Sequence, residues 1–207
     1  WGLFCGAMSA VMYFFMVTLN KQSKNISGME NAEIAVKLFV TRDSDEADKI
    51  ADYLCKLNIE RQKTENDILK EATEIIIEHD LDNKYNALVL WKEGWHSGVI
   101  GIVASKLKEK YNKPVVLFSV DKVSKGSGRS VIPFNLYEAL EKCSDTVLQF
   151  GGHKYAAGVL VDNDKLSYFR DKLSDLVGEY KNAHELSEDI DVEFVLPHNS
   201  VNYKTAE

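Results

Sequence analysis

Apolar residues recur at helical spacing from Ala47 through Ile50, Leu54 and Leu57 to Ile68, Leu69, Ala72, Ile75 and Ile76. The spacing predicts one long amphipathic helix, capped by Asp43 or Ser44 and ending near His79. From Asn86 onward the period changes. Short apolar runs at Ala87–Trp91, Val115–Val120, Ser130–Ile132 and Ala157–Val161 read as strands, with helices predicted at Val99–Tyr111, Leu136–Ser144 and Lys165–Tyr180. Gly98 and Pro114 fall at the predicted helix boundaries. Strands alternating with helices imply an α/β class, a mixed sheet flanked by helices and preceded by a long connector helix.

The two ends follow other patterns. Leu3–Leu19 is uncharged and apolar apart from Ser9 and Thr18. It falls short of the ~20 residues a membrane span needs and has no basic segment before it, so it reads as a buried helix. Asp189–Phe194 alternates polar and apolar residues, a strand signal in an otherwise polar tail.

Composition then sets the scale. At 207 residues, 45% hydrophobic and 28% charged, the chain suits a soluble globular protein with one sizeable core. Its net charge of −7 is unevenly spread: Trp91–Leu160 holds ten Lys/Arg and six Asp/Glu, a balance of +4, which leaves −11 elsewhere. The central segment is therefore the basic part of an acidic protein, as expected if one face meets phosphates. Cys5, Cys55 and Cys143 are isolated, without the spacing of a zinc site or a disulfide framework, which suits a reducing, cytoplasmic setting. Cys143 reads as a packed thiol.

Three donor-rich segments carry the candidate chemistry. Phe150–Gly158 contains Gly151, Gly152, His153 and Lys154, and reads as a turn whose backbone N–H groups converge on an anion. Gly94–Leu107 follows a strand and opens a helix, where unpaired N–H groups attract anions. Lys125–Ser130 sets Arg129 among small residues, so its guanidinium can approach a phosphate bidentately. In the α/β pattern all three are expected at strand ends and helix starts. Lys106, Lys108, Lys110 and Lys113 read instead as a solvated helix face and its exit, and Trp95 reads equally well as a stacking or a packed aromatic. The five histidines, His79, His96, His153, His184 and His198, do not form a ligand cluster by spacing, and His79-Asp80 reads as a solvated helix end.

The order Trp95-His96-x-Gly98-Val99-Ile100-Gly101-Ile102-Val103-Ala104, then Gly126-Ser127-Gly128-Arg129-Ser130, then Phe134-Asn135-Leu136, then Gly151-Gly152-His153-x-x-Ala156-Ala157-Gly158 resembles the RecJ family of single-strand-specific exonucleases in the DHH phosphoesterase superfamily. The strong motifs cover roughly residues 86–180 and are specific to the DHH-associated domain. Asn31–Ile77, with Asn58–Gln62 at its middle, resembles the family's connector helix, with Arg61 the connector charge that could face the cleft. Cys5-Gly6-Ala7 resembles a small-residue-rich helix late in the catalytic domain.

The resemblance implies a division into residues 1–25 as a remnant of the catalytic domain, 26–84 as a helical connector, 85–183 as the DHH-associated domain and 184–207 as the start of an OB-fold. It implies a 5′–3′ exonuclease of DNA repair and recombination, with single-stranded DNA as partner and Mn2+ or Mg2+ held by an Asp-His-His-bearing domain. No Asp-His-His occurs in this chain, so no metal ligand is assigned here. The chain opens on Trp1, and it is expected to be a fragment or reduced relative, inactive alone, with a loss between Lys24 and Ser27. Carried over by motif, Arg129, Ser127, Gly128 and Ser130 would hold one backbone phosphate, Gly151, Gly152, His153 and Lys154 an adjacent one, and His96 would line the cleft. His153 is the sole catalytic candidate. A phosphoesterase for short oligonucleotides or cyclic dinucleotides, and a non-catalytic remnant, remain as alternatives.

Overall fold

The computed structural model describes residues 28–183. The sequence-based readings at Leu3–Leu19, Lys24–Ser27, His184, Asp189–Phe194 and His198 lie outside the described residues.

Two helices lead into the sheet. Helix α1 is Gly28–Val40 and α2 is Ser44–Glu78. Asp43 caps α2 as its sequence predicts, its Oδ1 accepting from the N–H groups of Asp45 (2.9 Å) and Glu46 (3.4 Å). Through its second half α2 buries Ile68, Ala72 and Ile76, the stripe that the helical spacing marks. His79 closes it, and Asp80 follows at φ 51, both exposed. A single turn, α3 (Leu81–Lys84), then feeds β1 (Leu88–Glu93), α4 (Ile100–Tyr111), β2 (Val115–Val120), β3 (Ser124–Arg129), α5 (Leu136–Lys142), β4 (Gln149–His153), β5 (Ala156–Val161) and α6 (Leu166–Ala183).

The sheet runs in the order β1-β2-β3-β5-β4. Strands β1 and β2 are parallel, joined by the α4 crossover, and the other pairings are antiparallel. Its two faces are covered unequally. On one face α5 and α6 pack along the whole sheet, with Val89, Phe118, Val159 and Val161 against Leu136, Leu140, Phe169 and Leu173. Phe118 and Phe169 meet edge to face at 5.6 Å. On the other face α2 and α4 cover β1 and β2, burying Leu88, Leu90, Val115 and Leu117 under Ile68, Ala72, Val103 and Leu107. Beyond β3 that face has little cover, and Gly151, His153 and Gly158 are exposed there.

Ion pairs tie the connector helix to the domain. Glu65, only 5% exposed, meets Arg61 at 2.6 Å and Lys106 of α4 at 2.5 Å. Glu71 accepts from Trp95 Nε1 (2.8 Å) and pairs with Lys92 (3.0 Å). Arg61 is thus engaged within this helix–helix link, where its sequence position left a cleft-facing role open. Lys113 bonds Asp82 and the carbonyl of Tyr85, so this lysine, like Lys106, is engaged in holding the fold together.

Two elements differ from the sequence pattern. The third strand is Ser124–Arg129 rather than Ser130–Ile132, because pairing with β2 and β5 recruits a glycine-rich run that has no intrinsic strand signal. The Gly151-Gly152 pair lies inside strand β4, and the turn is His153–Ala156. Among the described residues, no helix is long and apolar enough to cross a membrane.

Candidate nucleic-acid interface

Sheet register brings two of the three motifs side by side. Ser127 pairs with Gly158, which pairs with Gly151; Arg129 pairs with Ala156, which pairs with His153. Directly opposed residues share a face, so these rows form a shelf on the open side of β3, β5 and β4. The shelf is floored by hydrogen atoms where other sheets carry side chains. A Cβ built on Gly151 or Gly158 would meet no atom within 4 Å.

Arg129 stands at the inner wall of the shelf. Its Nη1 donates to Gly128 O (2.7 Å) and Ser127 Oγ (3.2 Å), which folds the side chain back along β3. No carboxylate pairs with it among the described residues, and burial pushes its pKa below the usual arginine value. A desolvated guanidinium without a counter-charge favours an anion at this place. The first turn of α4 closes the wall. A Cβ on Gly101 would lie 2.8 Å from Ser127 Oγ and 3.1 Å from an Arg129 Nη, so glycine is what lets the helix approach. Gly101 is the second residue of α4, where a backbone N–H has no intrahelical acceptor.

His96 precedes that turn and is exposed. Gly98 N–H donates to its Nδ1 (3.1 Å), which leaves Nε2 to carry the outward N–H. Lys154 is exposed in the β4–β5 turn, and its carbonyl accepts from Leu136 N–H (2.8 Å), docking the turn on the start of α5. The side chain of Asn135 accepts from Glu138 N–H (3.4 Å) and caps α5, so Phe134-Asn135-Leu136 is a structural motif.

Three of the sequence-selected residues do not face the shelf. Ser130 is 4% exposed and its hydroxyl donates to Phe134 O (2.9 Å), so it is committed to the loop beneath. Gly128 points to the α5 side, where a Cβ would stand 2.8 Å from Leu136 Cδ2. Gly152 adopts φ +145 and a Cβ there would clash with Ala156 O at 2.3 Å, so it shapes the strand end. Trp95 is packed, at 3% exposure, with its ring nitrogen on Glu71. The motifs reach strand ends and a helix start as expected, with Arg129 closing β3, His153 closing β4 and His96 between β1 and α4, while Ser127 and Gly151 lie mid-strand. Sequence selection passed over Gly101 and Gly158 as site residues. The alternation of Lys125, Ser127 and Arg129 against Gly126 and Gly128 was the signal that could have assigned the faces.

Cys143 is fully buried and its thiol is pushed up to about 11 by burial, so it is a packed thiol as its position suggested. Among the described residues, no three His, Cys, Asp or Glu side chains converge as metal ligands.

A half-covered mixed sheet with a crossover helix pressed on a glycine–arginine strand defines a DHHA1 domain, and residues 83–179 match that family model. Over this domain and the helix before it, the chain is similar to the RecJ exonucleases. The chain is 38% identical over 154 residues to the single-stranded-DNA-specific exonuclease RecJ of Bacillus subtilis, covering 73% of this chain and 19% of that protein. It is 34% identical over 166 residues to RecJ of Dickeya dadantii, covering 76% and 29%. The solved RecJ of Thermus thermophilus in complex with Mg2+ superposes with a TM-score of 0.65 at 33% identity, over 73% of this chain and 23% of that one. A manganese-bound exonuclease RecJ superposes equally well, with a TM-score of 0.65 at 32% identity over 76% and 39%. The chain thus spans less than a third of the length of these two curated relatives.

Proposed function

We propose that this chain is the strand-holding part of a RecJ-like exonuclease specific for single-stranded DNA. The observation that carries the proposal is the Arg129 guanidinium, half-buried and without a carboxylate among the described residues, beside a shelf floored by Gly151 and Gly158. A phosphodiester supplies the missing charge, and the bare backbone lets it come close. Ser127 and the α4 start add donors at the inner wall. His153, with Lys154 beside it, contributes at the outer edge, where a second phosphate of the same strand falls, and His96 lines the approach. The shelf is open at the free edge of β4, which favours a continuing strand over a short oligonucleotide or a cyclic dinucleotide. Phosphate contacts carry no base information, so binding is independent of sequence and weakened by salt.

The residues described do not fit a metal site, and no hydrolytic step is assigned to them. In this proposal the divalent ion, present as Mg2+ or Mn2+ in the solved RecJ structures, belongs to a DHH catalytic domain that works as the partner of this one.

Fluorescence anisotropy of a single-stranded oligonucleotide, with and without a 5′ phosphate, tests the reading across a salt series. Arg129→Ala should weaken binding and reduce the slope of log K against log salt by about 0.7, the loss of one single-strand phosphate contact. Unchanged affinity and slope in Arg129→Ala would overturn it.

A further inference from the structure

Two loops meet at the end of the sheet where Arg129 and His153 lie. Ser130 N–H donates to Tyr155 O (3.0 Å) and Leu136 N–H donates to Lys154 O (2.8 Å), so the β3–α5 loop and the β4–β5 turn are held side by side. This rim bears exposed apolar surface that the fold does not use. Ile132 is 78% exposed and Tyr155 is 40% exposed. Among the described residues, the Tyr155 ring stacks on no other ring or cation, and its hydroxyl makes no hydrogen bond.

The two loops of the rim are basic in sequence: no Asp or Glu occurs from Lys122 to Tyr137 or from Thr146 to Val161, while Arg129 and Lys154 do, and the carboxylate of Glu138 is taken up by Asn135 Nδ2 (2.6 Å). An aromatic left open between basic loops suits a ligand with both a negative backbone and a flat apolar face. A nucleotide strand has both, and every nucleobase offers a π-face regardless of identity. A membrane surface would call for a broader apolar patch, and an acidic peptide would leave the ring unused.

We infer that Tyr155 is a positioning residue for the bound strand: a nucleobase next to the phosphate held by Arg129 stacks on its ring, with Ile132 bordering the same base. The inference rests on the proposed strand-holding role and adds the base contact to it. The backbone hydrogen bonds of the rim fix the turn that carries the ring, so little freedom is lost on stacking.

The test uses the full chain with two strands of equal length, one normal and one made of abasic sites. Tyr155→Ala should bind the normal strand about tenfold more weakly, with its salt slope unchanged because no phosphate contact is lost. Tyr155→Phe should bind as the unaltered chain does. On the abasic strand the unaltered chain and Tyr155→Ala should bind equally, since no base remains to stack. If Arg129→Ala weakens binding while Tyr155→Ala leaves affinity for the normal strand intact, the stacking inference is overturned and the strand-holding reading stands. If Arg129→Ala has no effect, the strand-holding reading falls and the inference with it. An equal loss by Tyr155→Ala on both strands also overturns stacking, since the ring would then act on the fold or the backbone.

Discussion

Adding one methyl group at Gly158 separates fold from function more cleanly than any charge change. A Cβ at this position meets no atom within 4 Å, and the residue lies in strand β5 between Ser127 and Gly151. Gly158→Ala therefore removes unfolded-chain entropy without strain, which stabilises by about 0.4–1 kcal/mol. For a chain of this size that raises Tm by roughly 1–4 °C. The same methyl occupies the shelf floor, holding a phosphate off the backbone and out of reach of Arg129. Loss of one hydrogen bond to a charged group costs about 1.5–3 kcal/mol, or roughly 10- to 150-fold in affinity. The control is Gly128→Ala on the opposite face, where the new Cβ would stand 2.8 Å from Leu136 Cδ2. Overpacking there costs about 1–3 kcal/mol and lowers Tm by roughly 2–12 °C, yet leaves the shelf open to the folded fraction. Thermal unfolding and oligonucleotide anisotropy on both variants give the answer. Wild-type affinity in a Gly158→Ala chain of raised Tm would refute the shelf as the binding surface, and a lowered Tm would refute the open face itself.

Other outcomes follow from the same coordinates. Glu65→Gln leaves Arg61 and Lys106 facing a neutral amide; breaking a buried pair costs about 3–5 kcal/mol, and since Lys106 is 46% exposed a loss of about 1–3 kcal/mol is expected in urea unfolding. Burial alone would raise the Glu65 carboxyl, but hydrogen bonds from Lys106 and Arg61 outweigh it and hold it below its ordinary 4.5; Glu71 is held below 4.5 by Trp95 and Lys92. The unfolded chain thus binds more protons near and below that value, so this stability is complete above about pH 4.5 and is lost as pH falls through the folded values. Tm measured from pH 7 to 3 should fall in that window, and less steeply in Glu65→Gln. Cys143, buried and raised to about 11, should resist alkylation at pH 8 in the native chain while exposed Cys55 reacts, as read by peptide mass spectrometry.

Much of the fold was legible in the chain. The α2 stripe of Ile68, Ala72 and Ile76 and its Asp43 cap follow from local spacing and capping chemistry, and β2 matches its apolar run residue for residue. Local signals failed where glycine dominates. Neither Lys125–Arg129 nor Gly151-Gly152 carries strand propensity, and both became strands because neighbours supplied the hydrogen bonds. The candidate site divided along the same line. The residue types in its motifs, Arg129 and His153 above all, marked the candidate phosphate-binding surface, while the structure turns the Ser130 hydroxyl to Phe134 O, sets Gly128 against Leu136 and leaves no room for a side chain at Gly152.

The sequence by itself determined the long α2 helix, the apolar strands, the basic segment within an acidic chain, the motif set and the kinship those motifs carry, because each is written in neighbouring residues or in composition. Only the tertiary structure decided which glycines stand on an open face and which fill the core. Strand side chains alternate between faces, and which face is buried depends on where α2, α4, α5 and α6 pack. That same packing left Arg129 without a carboxylate among the described residues and set the Tyr155 turn beside it. Register and helix placement join residues far apart in the chain, and no local pattern encodes them.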